Sequence, residues 1–149
     1  MKVAVGADHG GLDLKKVIVE LLSADSIEVI DVGTNSPASV DYPDYAEKVA
    51  KLVIGKEVDF GILVCGTGIG MCIAANKFPG IRAALAWDIF TARMARRHNN
   101  ANILTIGGRV TGPELAKEIV RTFIREPYDG GRHEARIEKI SKIEREPRR

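Results

Sequence analysis

The chain carries only two cysteines, Cys65 and Cys72, in 149 residues. That is too few for a disulfide framework, and a bridge between these two is not expected in a reducing compartment. A net charge of +2 is too small to point to nucleic acid. No apolar run reaches the ~18 residues of a membrane span. The start, Met1-Lys2-Val3-Ala4-Val5, reads as a strand and shows no apolar signal region with a small-residue cleavage site. The expected location is therefore the cytoplasm, with no membrane partner. Repeats, low-complexity tracts and linkers are missing too, so one domain over residues 1–149 is expected, built on a single core.

What is present is an ordinary globular composition, 45% hydrophobic and 28% charged. Basic residues gather from Arg93 onward, which suits an anionic small ligand, a partner surface or a solvated tail. Short runs rich in Val, Ile, Leu and Ala at Lys2–Gly6, Glu28–Val32, Phe60–Cys65, Arg82–Ala86 and Ile103–Ile106 read as strands covered on both faces. Helical spacing lies between them. Tyr42, Tyr45, Ala46, Val49, Ala50 and Val53 follow i, i+3, i+4, i+7, i+8, i+11. Thr111-Gly112-Pro113-Glu114 has the form of a capping box, opening a helix through Leu115, Ile119 and Phe123. Gly130-Gly131 is a turn before a last helix with a narrow stripe of Ile137, Ile140 and Ile143, suited to packing on another subunit. Residues Glu144 to Arg149 read as a frayed polar end. The pattern is βαβαβαβαβα plus a C-terminal helix, an α/β three-layer fold.

In open parallel sheets ligands bind beyond the carboxyl ends of the strands. Glycines and polar groups collect there, at Ala7-Asp8-His9-Gly10-Gly11, Asp31-Val32-Gly33-Thr34, Cys65 to Gly70, Trp87-Asp88 and Gly107-Gly108-Arg109. The run Leu63-Val64-Cys65-Gly66-Thr67-Gly68-Ile69-Gly70 is the most informative of these. It ends an apolar strand on a thiol and passes through three glycines into a helical pattern. Backbone N–H groups in such a loop are open to an anion, and a helix N-terminus favours the thiolate, the reactive form of cysteine. A dinucleotide loop fits poorly, because G-x-G-x-x-G follows a first strand and Met71 stands where its last glycine belongs. A P-loop lacks its Lys-Ser/Thr.

Asp8-His9 is either a helix cap or a ligand pair, with His9 donating to a phosphate and Asp8 accepting from a hydroxyl. His98-Asn99-Asn100 is a C-terminal cap or a general acid or base. Arg132 and Arg136 share one helix face. They are a solvated pair or, with Arg109 and His9, a clamp for one phosphate dianion. A metal site from Cys65, Cys72, His9 and His98 lacks the short spacings of zinc ligands. Cys72 is most simply a buried apolar residue.

Taken together, V-G-A-D-H-G-G at 5–11, D-Y-P-D-Y-A at 41–46, C-G-T-G-I-G at 65–70 and A-A-N-K at 74–77 resemble the type B ribose-5-phosphate isomerases. So do R-x-H-N at 96–99, G-G-R-V at 107–110 and G-G-R-H-x-x-R at 130–136. The resemblance runs along essentially the whole chain. It implies a Rossmann-like α/β/α sandwich with a five-stranded parallel sheet and an extra C-terminal helix. It implies a homodimer or tetramer with sites shared between subunits, acting on a sugar phosphate without metal or other cofactor. By this resemblance Cys65 is the base that moves a proton between C1 and C2 through a cis-enediolate, and Thr67 is a hydroxyl relay. The donors of Gly66, Thr67, Gly68, Ile69 and Gly70 hold the oxyanion, and His98 is the acid that opens the furanose. Asp8 and Asn99 bind hydroxyls, while His9, Arg109, Arg132 and Arg136 bind the phosphate. Members without the cysteine use a glutamate just after the glycine loop. Met71 occupies that position here, so the chain resembles the cysteine subtype. The rival readings are a subunit of a galactose-6-phosphate isomerase, an isomerase of allose 6-phosphate, a non-catalytic phosphosugar-binding protein and a structural α/β protein.

Overall fold

The computed structural model describes residues 1–146, and of the tail expected to fray, residues 147–149 lie outside the described residues. The strands are β1 (Lys2–Ala7), β2 (Glu28–Asp31), β3 (Phe60–Cys65), β4 (Ala83–Leu85) and β5 (Ile103–Gly107). The helices are α1 (Leu12–Ala24), α2 (Tyr42–Ile54), α3 (Ile69–Ala75), α4 (Ile89–Asn99), α5 (Pro113–Arg125) and α6 (Arg132–Arg145). All strand pairs are parallel, in the order β2-β1-β3-β5-β4. Both edge strands are short. β4 keeps only three of the five residues expected, since β5 is its sole neighbour.

Alternation along the strands sorts the core into two layers. Val3, Val5, Ile62, Val64, Leu104 and Ile106 pack with α1, α4 and α5 on one face. Ala4, Leu63, Cys65 and Ile103 pack with α2 and α3 on the other. This is the expected α/β/α sandwich, with α6 laid outside α4. No helix among the described residues is long and apolar enough to cross a membrane.

The capping box at Thr111 does not form. Pro113 is the first helical residue and Gly112 the N-cap, with no side-chain cap bond. Proline's fixed φ and missing N–H place it at the first position of the helix. That leaves Thr111 one residue too early to cap, and Glu114 pairs with Lys117 at 2.9 Å instead. Near the end of the chain, Glu144 and Arg145 belong to α6 and are not frayed.

Lys15 is 1% exposed, a charge in the core layer under β2. Its Nζ donates to Asp31 Oδ1 (2.9 Å) and Oδ2 (2.8 Å) and to Asn35 Oδ1 (2.7 Å). The ammonium is thereby satisfied and ties down the start of the 33–41 segment. At the far end of that segment, Val40 N–H donates to His9 Nδ1 (3.2 Å). A buried charge left without its partner is costly, whereas Asp31 keeps partial solvent access. Replacing Lys15 by Met is expected to lower stability by about 2 kcal/mol. A urea titration reads this as a lower midpoint at unchanged slope.

Candidate active site

Three loops meet above the carboxyl ends of β1, β3 and β5, the central strands of the sheet. Close backbone approach brings them together. A Cβ on Gly108 would lie 2.8 Å from the Gly10 carbonyl oxygen, and one on Gly10 would lie 3.1 Å from Gly66 N. Gly108 N–H donates to Cys65 O (2.7 Å), and Arg109 N–H donates to Gly66 O (3.0 Å). Cys65 and Gly107 are paired at the ends of β3 and β5.

Cys65 is 5% exposed, and its Sγ accepts the Gly68 N–H at 3.2 Å. That bond holds the thiol toward the loop. Gly68 sits in the left-handed region at φ 81°, against Leu85 and the Ile106–Gly107 backbone, where a side chain would collide. Ile69 N–H donates to Thr67 Oγ1 (3.3 Å), so Thr67 lies in the same turn, exposed beside the thiol. Two of the expected donors, Gly68 and Ile69, are thus engaged inside the loop. Among the described residues the N–H groups of Gly66 and Thr67 have no acceptor. Met71 is fully buried in the core layer of α2 and α3 that also packs Cys65. Cys72 is half-buried rather than core, with its Sγ 3.5 Å from the Ala83 carbonyl, and both cysteines are free thiols.

Asp8 is buried and caps the short 3-10 turn His9–Gly11 through Gly11 N–H (3.1 Å). Its cap role and its place beside the thiol loop coexist. His9 Nδ1 accepts from Val40, so the neutral ring carries its proton on Nε2 and can donate from there. Arg109 lies along Gly66, exposed and without an ion pair among the described residues. Tyr42, marked by sequence spacing only as one of the apolar series of α2, also reaches this loop. Its ring covers Gly70, where a Cβ would meet it at 2.7 Å, at the first turn of α3.

The other expected site residues are at the opposite edge of the sheet. Helix α4 returns from the carboxyl to the amino edge, and His98 and Asn99 end it there. The Asn99 carbonyl accepts Arg82 Nε (3.0 Å) just before β4 begins. Gly61, near the start of β3, donates to Asn102 O (3.0 Å) at the same edge. From Gly61 to Cys65 is four residues, roughly 13 Å of strand. Arg132 and Arg136, exposed on the first turns of α6, share the amino edge with His98. The four-group phosphate clamp does not assemble within one chain. His9 and Arg109 are at the carboxyl edge, whereas α5 carries the chain back and delivers Arg132 and Arg136 to the amino edge.

His98 and His133 stack face to face, with centroids 4.3 Å apart and planes at 15°. Burial chiefly, then the positive charges of His98, Arg132 and Arg136, holds His133 below its ordinary 6.5, against the opposing pull of Asp129. Ligand atoms of His98, His133 and Asp129 come within 4.8 Å of one another. A metal must lie in the plane of each imidazole it binds, and stacked rings put those planes side by side. Asp129 is also engaged by Arg97 Nε at 3.0 and 3.1 Å. The cluster is therefore not arranged to chelate.

Both comparisons of sequence and of structure point the same way. The family described as Ribose/Galactose Isomerase matches residues 3–140. Ribose-5-phosphate isomerase B of Escherichia coli is 52% identical over 143 residues, covering 96% of both chains. The ribose-5-phosphate isomerase B structure from Clostridium thermocellum is 52% identical, with a TM-score of 0.96 and 97% of each chain covered. The Mycoplasma genitalium enzyme of the same name, solved with bound ribulose-5-phosphate, is 43% identical, with a TM-score of 0.92 and 98% and 97% covered.

Proposed function

Because this chain belongs to the ribose/galactose isomerase family, we propose that it interconverts ribose 5-phosphate and ribulose 5-phosphate, as the non-oxidative branch of the pentose phosphate pathway requires. The observation that carries the proposal is a thiol fixed where three central-strand loops converge, with unpaired backbone donors and the Arg109 guanidinium beside it. His98 donates a proton to the ring oxygen as the C1–O bond breaks, and the anomeric O1–H gives its proton to solvent water, freeing the aldehyde. Cys65, as thiolate, takes the C2 proton, and the C2–H electron pair forms the C1=C2 bond of a cis-enediolate. The charge that moves onto O1 is met by the N–H groups of Gly66 and Thr67, an electrostatic contribution of the kind that dominates such steps. The hydroxyl proton passes from O2 to O1 beside Thr67, and the thiol returns its proton to C1. Asp8 and Asn99 hold sugar hydroxyls. His9 donates to the phosphate from Nε2 while Arg109, Arg132 and Arg136 neutralise it, and the Tyr42 ring walls the loop.

The site is shared in a homodimer, with the carboxyl-edge half from one subunit and the amino-edge half from the other. Two observations support this. The two halves cannot meet within a chain. A groove of about 710 Å³ also lies away from the thiol, between β4 and α6. Its lining of Ile81, Ile140 and Ile143, the last 70% exposed, suits protein better than phosphosugar.

The test is a coupled assay of the purified chain, offered ribose 5-phosphate, allose 6-phosphate and galactose 6-phosphate in turn. The chain alone is expected to turn over ribose 5-phosphate with the highest kcat/KM. Activity confined to a six-carbon phosphate, or dependent on a second polypeptide, would overturn the assignment.

A further inference from the structure

We propose that His133 is a positioning residue for the ring-opening step, its imidazole forming the wall that fixes the plane in which His98 presents its proton to the furanose oxygen. The proposal rests on the assignment of His98 as the ring-opening acid. His98 stands half-exposed on the last turn of α4. His133 is 7% exposed and covers one face of that ring, with centroids 4.3 Å apart.

The placement of His133 is itself built in. The 126–131 segment that delivers α6 is sewn to α4 by three consecutive contacts. Arg93 Nε bonds Glu126 Oε1 (2.7 Å), Arg96 Nε donates to Glu126 O (3.4 Å), and Arg97 Nε holds both Asp129 carboxylate oxygens. Asp129 N–H donates back to Arg97 O (3.0 Å). The same helix that carries His98 therefore fixes its stacking partner. The charged groups acting on His133 are His98 from α4, Asp129 from the segment, itself held by Arg97, and Arg132 and Arg136 from α6. Burial first, then His98, Arg132 and Arg136, disfavours a charge on His133, while Asp129 favours one. A neutral ring stacks favourably on an imidazolium, whereas two charged rings would repel.

The experiment compares His133→Ala, which removes the wall, with His133→Phe, which keeps an aromatic face and loses the nitrogens. Turnover of ribose 5-phosphate is measured beside the affinity for an open-chain phosphorylated hydroxamate, a planar mimic of the enediolate that needs no ring opening. Misplacing a catalytic group by about 1 Å costs on the order of 10- to 100-fold, so His133→Ala is expected to lose that much in kcat. Its hydroxamate affinity should stay within about twofold, since Arg132 and Arg136 remain in place, and His133→Phe should recover most of the turnover. Wild-type kcat in His133→Ala would overturn the proposal. So would hydroxamate affinity falling in step with kcat, or equal loss in the Phe and Ala variants. His98→Asn separates the two layers of the argument. If that variant keeps full turnover, the ring-opening assignment itself is wrong. If it is inactive while His133→Ala is not, the positioning role alone fails.

Discussion

Cys65→Ala is expected to lower kcat by roughly 10³-fold or more, the upper range of acid–base contributions, or about 4 kcal/mol of transition-state stabilisation. Binding should survive, because the residues proposed to hold the phosphate and the hydroxyls are elsewhere on the chain. The substitution is also mild for the fold. The thiol is a small group at the end of β3, packed against the layer of α2 and α3, and its one polar contact is the Gly68 N–H. Isothermal titration with ribose 5-phosphate should give a Kd close to the wild-type value alongside the lost turnover. Turnover near that of the wild type would remove Cys65 from the proton-transfer role. No other side chain on the loop could replace it, since Met71 is buried and the Thr67 hydroxyl is too weak a base.

Mixing two inactive variants is expected to restore activity. Cys65→Ala lacks the carboxyl-edge half of the site and His98→Asn the amino-edge half. In a mixed dimer one of the two composite sites regains both wild-type residues, and the other loses both. Random reassociation makes half of the dimers mixed, so about a quarter of wild-type activity should return after the pair is unfolded and refolded together. Each variant refolded alone should stay inactive. If the mixture also stays inactive while size-exclusion shows dimers, the two residues do not serve one shared site. The opposite edges of Cys65 and His98 make this outcome sharp, because no rearrangement within a chain can carry α4's last turn across the length of β3.

Much of the fold could be read from local pattern. Strand runs such as Phe60–Cys65 and helix periodicity such as that of Tyr42 to Val53 are short-range signals, and both are found as expected. The order β2-β1-β3-β5-β4 is not short-range, because it depends on which crossovers pack best. The three-residue length of β4 follows from that order, since a strand with one neighbour pairs only where β5 offers it bonds. The site was legible as a set of residues but not as a place. Cys65, Thr67, Asp8, His9 and Arg109 follow strand ends and could be put at one edge. His98 and Asn99 follow a helix, and a helix after a parallel strand returns to the other edge. That inference was open from the element order alone.

Two further features depend on contacts far apart in sequence. Lys15 looks like one more polar residue on an amphipathic helix, and its partners Asp31 and Asn35 lie 16 and 20 residues away. His133 sits inside the G-G-R-H-x-x-R block with no local mark of its role, because the ring it stacks on belongs to a different helix. Tyr42 belongs to the apolar series of α2, and only the missing side chain at Gly70 shows why its ring comes to the loop.

The two short edge strands have a consequence for solubility. An edge strand presents unpaired N–H and C=O groups on which another chain can add a strand, and length is what makes such addition stick. β4 offers three residues. β2 offers four, and both of its ends are acidic, Glu28 and Asp31. Neither edge is long enough to template runaway polymerisation while nascent chains are concentrated and only partly folded.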